Sequence, residues 1–254
     1  MPPLAEHTTT TAAAALEDAE VAVVPTGSTE QHGPALALGM DHLAAEAFAR
    51  TASDRSDAIV LPTVPVGISD HHRQFAGTLS VSEGTFERYV RETIESLAGH
   101  GVRKAVVVNG HGGNTAALRR AARTMREERT AFAPPWNWWE SVETLVDDLF
   151  DEAGGHADAA ESSLLWHLHE DLVDPDALEA AEAGASDAWG ESVHGAALGF
   201  DTIDFSESGA VGRPTGADPE KGQQVFEAAR DELHALLDWL VDRPLEDCWP
   251  RDHR

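Results

Sequence analysis

A glutamate and a histidine stand two positions apart, just after the first strongly apolar run of the chain at residues 21–25. In extended backbone, Glu30 and His32 project from the same side, and the Gly33-Pro34 turn lets the chain return so that Asp41 can meet them. Carboxylates and imidazoles grouped in this way are ligands for divalent metal ions. The same residue types are also common in solvated loops. This stretch alone therefore does not distinguish a metal site from polar surface, and the other loops must be considered.

Two later loops also carry histidines after apolar runs. The second run leads to Ser69 and His72, and the third leads to Asn-Gly-His-Gly-Gly-Asn at 109–114. This sequence lacks the G-x-G-x-x-G spacing and the Lys-Ser/Thr of a phosphate loop, so nucleotide binding is set aside. Its glycines would let the backbone approach a metal or substrate while His111 points into the crevice. A tight turn with an incidental histidine has the same pattern.

A fourth cluster places His156 five residues before Glu161, near the predicted start of a helix. Glu161 could equally be an acid favoured by the first helical turn, and His156 a loop residue or one that only orients Glu161. Taken together, the four loops offer oxygen and nitrogen ligands for one or two divalent cations: Glu30, His32, Asp41, His111 and Glu161.

The elements between these loops predict an α/β fold. Apolar runs predict strands at 21–25, 58–64, 104–108 and 130–133. Helical spacing predicts helices at 41–52, 83–97, 114–127, 160–172 and 218–242, with Asn114 and Asp218 as N-caps. This alternation indicates a mostly parallel sheet with helices on both faces, and ligand sites in such sheets lie beyond the carboxyl ends of the strands. Residues 173–216 carry no pattern that assigns an element.

Composition limits the kinds of partner. The chain has 254 residues, 42% of them hydrophobic, which fits a single domain over residues 1–254. Its 45 acidic and 18 basic residues give a formal charge of -27, which disfavours nucleic acid and anionic membranes as partners. Because Lys104 and Lys221 are the only lysines, this acidity predicts a halophilic cytoplasm, and an ordinary acidic mesophile is the alternative.

Cysteine content and the apolar runs narrow the setting further. Cys248 is the only cysteine, so an intrachain disulfide and a thiolate metal cluster are both excluded. We expect a soluble, cytoplasmic protein, since the N-terminus does not resemble a signal peptide and the apolar runs are too short to span a membrane.

Four motifs in order resemble those of the creatininase family. They are Ser-Thr-Glu-Gln-His-Gly-Pro with Asp41, Phe-Ala-Gly-Thr-Leu-Ser at 75–80, Asn-Gly-His-Gly-Gly-Asn at 109–114, and His156 with Glu161. The resemblance covers roughly residues 20–165 and resumes at 209–215. It implies a three-layer α/β/α fold, commonly a homohexamer, and a centre of two Zn, Mn or Fe(II) ions that hydrolyses amide-type C–N bonds other than peptide bonds.

The resemblance also assigns roles to individual residues. Glu30 and His111 would hold one metal ion, His32 the other, and Asp41 would bridge them. Creatininase itself has a glutamate ligand where this chain has Gly113, so Glu161 is the candidate for the missing ligand. A metal-bridging hydroxide would attack the amide carbonyl, and His156 would carry a proton to the leaving nitrogen.

The substrate is the least determined part of the prediction. Members with the Asn-Gly-His-Gly-Gly-Asn motif include an archaeal deformylase that acts on a formamidopyrimidine ribonucleotide in riboflavin and deazaflavin biosynthesis, and this is the favoured substrate. Arg73 and Arg213 are candidates for binding its phosphate, with Ser69 and His72 facing the substrate. Creatinine hydrolysis, trimming of a precursor peptide and a catalytically silent metal-binding scaffold are the alternatives. The group Trp136, Trp138 and Trp139 is expected in the core or a subunit interface.

Overall fold

The computed structural model describes residues 1–150 and 155–252. In these ranges, four parallel strands form the central sheet: β1 (Val21–Thr26), β2 (Ala58–Val60), β3 (Ala105–Asn109) and β4 (Pro135–Asn137). Their order is β2-β1-β3-β4, and Val23 of β1 pairs with Val60 on one side and Val106 on the other. β1 and β3 are buried along their whole length, as expected for continuous apolar runs in a parallel sheet.

Helices cover both faces of this sheet. Their bounds are α1 (Thr9–Asp18), α2 (Met40–Arg50), α3 (Glu83–Ala98), α4 (Thr115–Glu127), α5 (Trp138–Ser141), α6 (Glu143–Leu149), α7 (Ala159–Leu168), α8 (Leu178–Ala183) and α9 (Pro219–Asp242). A short antiparallel hairpin, β5 (Ser192–Val193) and β6 (Ala196–Ala197), lies outside the sheet.

The alternation of side chains along β1 creates two cores. Val21 and Val23 face a layer formed by α2, α7 and α9, in which Phe48, Leu164 and Leu233 are buried. Ala22 and Val24 face the opposite layer, formed by α3 and α4. The predicted three-layer α/β/α architecture is therefore confirmed.

Trp136 and Trp138 belong to the first of these cores. Their rings lie 5.6 and 6.2 Å from the ring of Phe48, and both residues are at least nine-tenths buried. Trp139 packs against the same core and is only partly buried. The expectation that this group lies in the core holds for Trp136 and Trp138.

The predicted fourth strand lies in the wrong place. Residues 130–133 make only one bridge, between Phe132 and Lys104, and the strand forms two residues later at Pro135–Asn137. The chain tolerates prolines here because β4 is an edge strand, where a missing N–H removes no inner ladder bond. The predicted strand at 58–64 is likewise short, ending at Val60 before Pro62.

The predicted helix starts have different physical bases. Asp218 accepts a hydrogen bond from the Glu220 N–H and Pro219 occupies the first turn of α9, so this N-cap is confirmed. Asn114 stands at the N-cap position of α4, but its side chain makes no capping bond. The Asn114 amide instead accepts from the Ile68 N–H and donates to the Gly27 carbonyl, each at 3.0 Å. It ties together the loops that follow three strands.

Both lysines donate hydrogen bonds to carbonyl groups at the C-terminal ends of helices. Lys104 is buried, and its Nζ donates to the Leu240 and Val241 carbonyls of α9 at 2.8 and 3.0 Å. Lys221 donates to the Leu149 carbonyl at the end of α6. A cation is favourable at a helix C-terminus, so these lysines have structural positions on an otherwise acidic protein. Among the described residues, we find no helix long and apolar enough to span a bilayer.

Candidate metal centre

The centre lies at the carboxyl edge of the sheet, where α2 approaches β1 and β3 closely. A Cβ atom on Gly110 would stand 2.0 Å from the Asp41 carbonyl oxygen, and one on Gly27 would stand 2.4 Å from the His42 nitrogen. Glycine at both positions therefore allows the first turn of α2 to reach the strand ends. This approach brings Asp41, nine residues after His32, into the cluster.

Two groups of potential ligands share Asp41. In one, Glu30, Asp41 and His111 offer ligand atoms that all lie within 4.8 Å of one another, and in the other His32, Asp41 and Glu161 do the same. The Asp41 oxygens face opposite partners: Oδ1 is 3.1 Å from His32 Nε2, and Oδ2 is 3.1 Å from His111 Nδ1. A third group, formed by Glu30, His32 and His156, overlaps both.

The histidines are oriented as ligands. His111 Nε2 lies 2.9 Å from the Ile68 carbonyl and His32 Nδ1 lies 3.1 Å from the Glu30 carbonyl, so each ring donates its N–H to the backbone. The other nitrogen of each ring faces the carboxylates, where it carries a second proton or, in place of that proton, can bind a cation. A backbone acceptor that fixes the tautomer in this way is characteristic of metal-bound imidazole.

Several buried oxygens lack hydrogen bonds. In the part of the chain that the structure describes, both carboxylate oxygens of Glu30 and Asp41 Oδ2 make none, although both residues are about 1% exposed. A buried carboxylate without partners is costly, and a bound cation would remove that cost. The donor set of carboxylates and imidazoles therefore fits a divalent metal ion.

The charges of the cluster are strongly coupled. Burial opposes ionisation of Glu30, but the nearby histidines, His111 first, together outweigh it and hold the pKa of Glu30 well below its usual range. Burial likewise lowers the pKa of His32, but the nearby carboxylates, Asp41 first, together outweigh it and raise that pKa to about 10. The cluster thus attracts positive charge, which protons on the histidines provide when no cation is bound.

Glu161 reaches the cluster from α7 and not from the loop after β3. Its Oε2 lies 3.7 Å from His32 Nε2 and accepts a hydrogen bond from the Ala157 N–H at 2.6 Å. Asp158 caps α7 by accepting from the Ala160 and Glu161 N–H groups, which fixes the first turn. Burial raises the pKa of Glu161 to about 8, so a nearby cation would favour its carboxylate form.

Gly113 has no room for any side chain. A Cβ atom there would stand 2.3 Å from the Ile68 carbonyl oxygen and 2.4 Å from His111 Nε2. The hydrogen bond from His111 to the Ile68 carbonyl thus occupies the space that a side chain at position 113 would need. Besides Asp41, the acid that lies beside His32 is Glu161.

His156 also faces the cluster. Its Nε2 lies 2.9 Å from the Gln31 carbonyl, and its Nδ1 lies 3.8 Å from Glu30 Oε1 and 3.9 Å from Glu161 Oε2. Burial, followed by the nearby His32, lowers the pKa of His156 to about 3. His156 is therefore neutral and presents a lone pair toward the carboxylates.

A cavity of about 370 Å³ opens onto this centre. Its described lining includes His72 but neither Ser69, Arg73 nor Arg213. Ser69 is fully buried behind His111, with its hydroxyl 3.3 Å from His111 Nε2. Arg73 is exposed and pairs with Asp201 at 2.8 Å. Of the four predicted substrate residues, the structure brings only His72 to the cavity.

The far wall of the cavity comes from a segment that the sequence left unassigned. Trp189, Phe200, Thr202 and Phe205 line it, and the Trp189 ring lies 5.9 Å from the His156 ring. No lysine or arginine lines the cavity among the described residues. These wall residues lie far along the chain from the four motifs, so the sequence carried no local signal for them.

A buried cluster of carboxylates and imidazoles at the carboxyl edge of a parallel α/β sheet defines a protein with a metal-binding site at that edge. Residues 5–237 match the family model described as creatininase, creatinine amidohydrolase. The chain belongs to the creatininase family. It is thus an amidohydrolase, a metal-binding enzyme that acts on amide C–N bonds, and this predicted class is confirmed.

The named relatives include precursor peptide peptidases and a creatinine amidohydrolase. The mycofactocin precursor peptide peptidase of Mycolicibacterium smegmatis is 34% identical over 229 residues, covering 87% of this chain and 86% of the relative. The peptidase of the same description from Mycobacterium tuberculosis strain H37Rv is 32% identical and covers 86% and 85%. The creatinine amidohydrolase of Pseudomonas putida is 29% identical, covering 61% of this chain and 67% of the relative.

Solved structures share the fold. A creatinine amidohydrolase (creatininase) structure superposes with a TM-score of 0.82 at 24% identity, covering 94% of this chain and 98% of the other. A structure described as Creatininase Mn gives a TM-score of 0.79 at 23% identity, with coverage of 94% and 98%. At these identities the superpositions establish the three-layer fold.

Proposed function

We propose that the centre holds two divalent cations. Glu30 and His111 would bind one, His32 and Glu161 the other, and Asp41 would bridge them. The support is the pair of ligand groups that share Asp41, together with the buried oxygens of Glu30 and Asp41 that make no hydrogen bond. Zinc, manganese and Fe(II) all suit such ligands.

The residues around this centre supply the remaining chemistry of amide hydrolysis. When bound, a pair of divalent cations provides a nucleophile from water near neutral pH and polarises the scissile carbonyl. His156 is neutral, and its Nδ1 lone pair faces the carboxylates at 3.8 and 3.9 Å. From there it accepts the proton of the attacking water and returns it to the leaving nitrogen.

A short peptide is the substrate class that we favour, although the family resemblance implies an amide bond other than a peptide bond. The observation that carries this choice is the lining of the cavity, in which aromatic rings stand opposite the acids and no described residue is cationic. Such walls suit an uncharged chain with apolar side chains. The mycobacterial relatives named as precursor peptide peptidases support the same choice.

A formamide substrate is the second candidate, favoured by the Asn-Gly-His-Gly-Gly-Asn sequence at 109–114. The predicted formamidopyrimidine ribonucleotide carries a phosphate, which requires cationic partners. Arg73 is paired with Asp201, and neither it nor Arg213 lines the cavity. A neutral formamide therefore suits the cavity better than a nucleotide. Creatinine is less favoured, because Gly113 replaces the glutamate ligand of creatininase.

One assay separates these candidates. Protein loaded with Zn²⁺, Mn²⁺ or Fe²⁺ is incubated in high and low salt with short peptides, a formamidopyrimidine nucleotide and creatinine, and products are scored as new amino groups, formate or creatine. We expect amine release from peptides. Release of formate would indicate a deformylase, and release of creatine would indicate a creatinine amidohydrolase. Stoichiometric metal without turnover of any substrate would indicate the silent scaffold.

The remaining predictions concern the setting of this activity. A cytoplasmic location, a halophilic host and a homohexamer are still expectations, and sedimentation at several salt concentrations would test the last two together. An assembly that dissociates as salt is removed would agree with the charge of -27, because self-repulsion is then no longer screened.

A further inference from the structure

Gln31, between the two proposed ligands Glu30 and His32, is held in one orientation by the backbone. Its Oε1 accepts from the Gly33 N–H at 2.9 Å, and its Nε2 donates to the Gly209 carbonyl at 3.0 Å. A flipped amide would set donor against donor at Gly33 and acceptor against acceptor at Gly209. The side-chain nitrogen of Gln31 must therefore face the cluster, with one N–H still to place.

Two histidine nitrogens compete for that N–H. His72 Nδ1 and His156 Nε2 both lie 2.8 Å from Gln31 Nε2. His156 Nε2 also lies 2.9 Å from the Gln31 carbonyl, to which it can only donate. A nitrogen that carries a proton cannot accept another, so the free N–H of Gln31 goes to His72 Nδ1.

This assignment fixes the tautomer of His72. Because Nδ1 accepts, neutral His72 carries its proton on Nε2. The Nε2 atom is buried, makes no hydrogen bond within the described residues, and lies 3.4 Å from Glu30 Oε1. The rings of His72 and His156 are stacked with centroids 4.3 Å apart. His72 lines the cavity, and its ring thus brings an N–H to the cluster while the ring of His156 brings a lone pair.

We propose that Gln31 is a positioning residue that holds His72 as the Nε2–H tautomer, and that this N–H donates a hydrogen bond to the carbonyl oxygen of the substrate amide. The second part rests on the proposed amide hydrolysis, whereas the tautomer does not. Negative charge grows on that oxygen as the carbonyl is attacked, so a fixed neutral donor stabilises the transition state more than the ground state.

A structural role for His72 is the competing explanation. Its N–H could simply hold Glu30 in place, which would make His72 a support for the metal ligands. Thr202 complicates the tautomer too, because its hydroxyl lies 2.9 Å from His72 Nδ1 and can either donate to it or accept from it. The experiments must separate Gln31 from Thr202 and oxyanion stabilisation from metal binding.

The tautomer is tested by NMR of ¹⁵N-histidine-labelled protein, both metal-free and loaded with diamagnetic Zn²⁺, with His72→Phe used to assign its signals. We expect His72 Nδ1 unprotonated and Nε2 protonated in the parent and in Thr202→Val. In Gln31→Met the Nδ1–H tautomer should appear. If that variant does not fold, Gln31→Glu should protonate Nδ1, since a carboxylate can only accept. A parent His72 that carries its proton on Nδ1, or a tautomer reversed by Thr202→Val alone, overturns the assignment.

The catalytic part is tested with His72→Phe, which keeps a ring against His156 but removes the N–H. On whichever amide substrate is turned over, we expect kcat to fall about 10²–10³-fold, the loss typical of one oxyanion donor. KM and metal content should change little. Metal loss in parallel with activity, or kcat within a few-fold of the parent, would show that His72 only supports Glu30. If no amide is hydrolysed, the proposed function fails while the NMR result still stands.

Discussion

The loops after β1 and β3 and the segment at 184–209 meet at the same cavity, but different contacts hold them there. The strand-end loops are tied by buried groups: the Asn114 amide joins Ile68 to Gly27, and Gly110 lies against the Asp41 backbone. The segment opposite is far more open, with Trp189 49% and Phe200 79% exposed. The proposed metal ligands lie on the side that buried contacts hold together, which we call the rigid edge, and the aromatic wall lies on the exposed side. Substitutions on the two sides should therefore have separable effects on catalysis and on substrate binding.

The largest effect is expected from Asp41→Asn at the rigid edge. The substitution preserves shape but turns one of the two oxygens into a donor, facing either His32 or His111, both 3.1 Å away. Hydrolysis should fall by more than about 10³-fold, because groups that act as a unit lose most catalysis when one is removed. Metal content by mass spectrometry should fall as well, while circular dichroism shows the fold intact.

Asp54→Asn is the matched control for this substitution. Asp54 is an exposed residue beyond the far end of α2, and its loss should leave metal content and turnover unchanged. Full activity in Asp41→Asn would sink the two-metal proposal, since the shared carboxylate is its central element.

Glu161→Gln tests whether α7 supplies the second cation site. Without its carboxylate, the group formed by His32, Asp41 and Glu161 retains only two ligands, so bound metal should drop from two ions per chain toward one. Turnover should fall about 10²-fold or more if both cations share the work. Glu170→Gln, at an exposed position just after α7, provides the comparison. Two tightly bound ions in Glu161→Gln would place the missing ligand elsewhere.

Alanine substitutions at the adjacent glycines of the third motif, Gly112 and Gly113, provide a matched pair of variants. Gly113→Ala forces a Cβ against the Ile68 carbonyl and His111 Nε2, whereas a Cβ on Gly112 meets nothing within 4 Å. We expect Gly113→Ala to lower the free energy of unfolding by about 1–3 kcal/mol, the usual cost of overpacking. Metal affinity should fall about 10- to 100-fold, as when the partner that orients a ligand is disturbed.

Thermal unfolding and metal titration of both alanine variants test the predicted changes in stability and metal affinity. Gly112→Ala should match the parent in each measurement. Equal behaviour of the two variants would mean that the hydrogen bond from His111 to Ile68 does not govern the orientation of the ligand.

The two sides of the cavity also differ in how far the sequence predicted them. β1 and β3 are continuous apolar runs, and polar residues that follow such strands directly, such as Glu30 and His111, must lie at the sheet edge. Gln31 stands in the first motif, but the sequence assigned it no role, because its importance comes from contacts with Gly209 and two histidines that only the tertiary fold creates. The prediction that Arg73 binds substrate relied on its nearness in sequence to His72. That nearness did not reveal that Arg73 pairs with Asp201 outside the cavity.

Trp189→Ala probes the exposed side and should have the smallest effect. The Trp189 ring lies 5.9 Å from the His156 ring but contributes no ligand atom, so removing it leaves the centre intact. Loss of one aromatic contact is worth about 0.5–1.5 kcal/mol, so KM should rise several-fold, up to about tenfold. Metal content and kcat should stay near the parent values.

Trp239→Ala supplies the control for exposed tryptophan in general. Trp239 is 48% exposed on α9, packs against Arg243 and does not line the cavity. Its removal should leave KM unchanged. If Trp189→Ala instead lowered kcat or released metal, the exposed wall would be part of the catalytic centre. The division between a rigid catalytic edge and a separate substrate-facing wall would then be wrong.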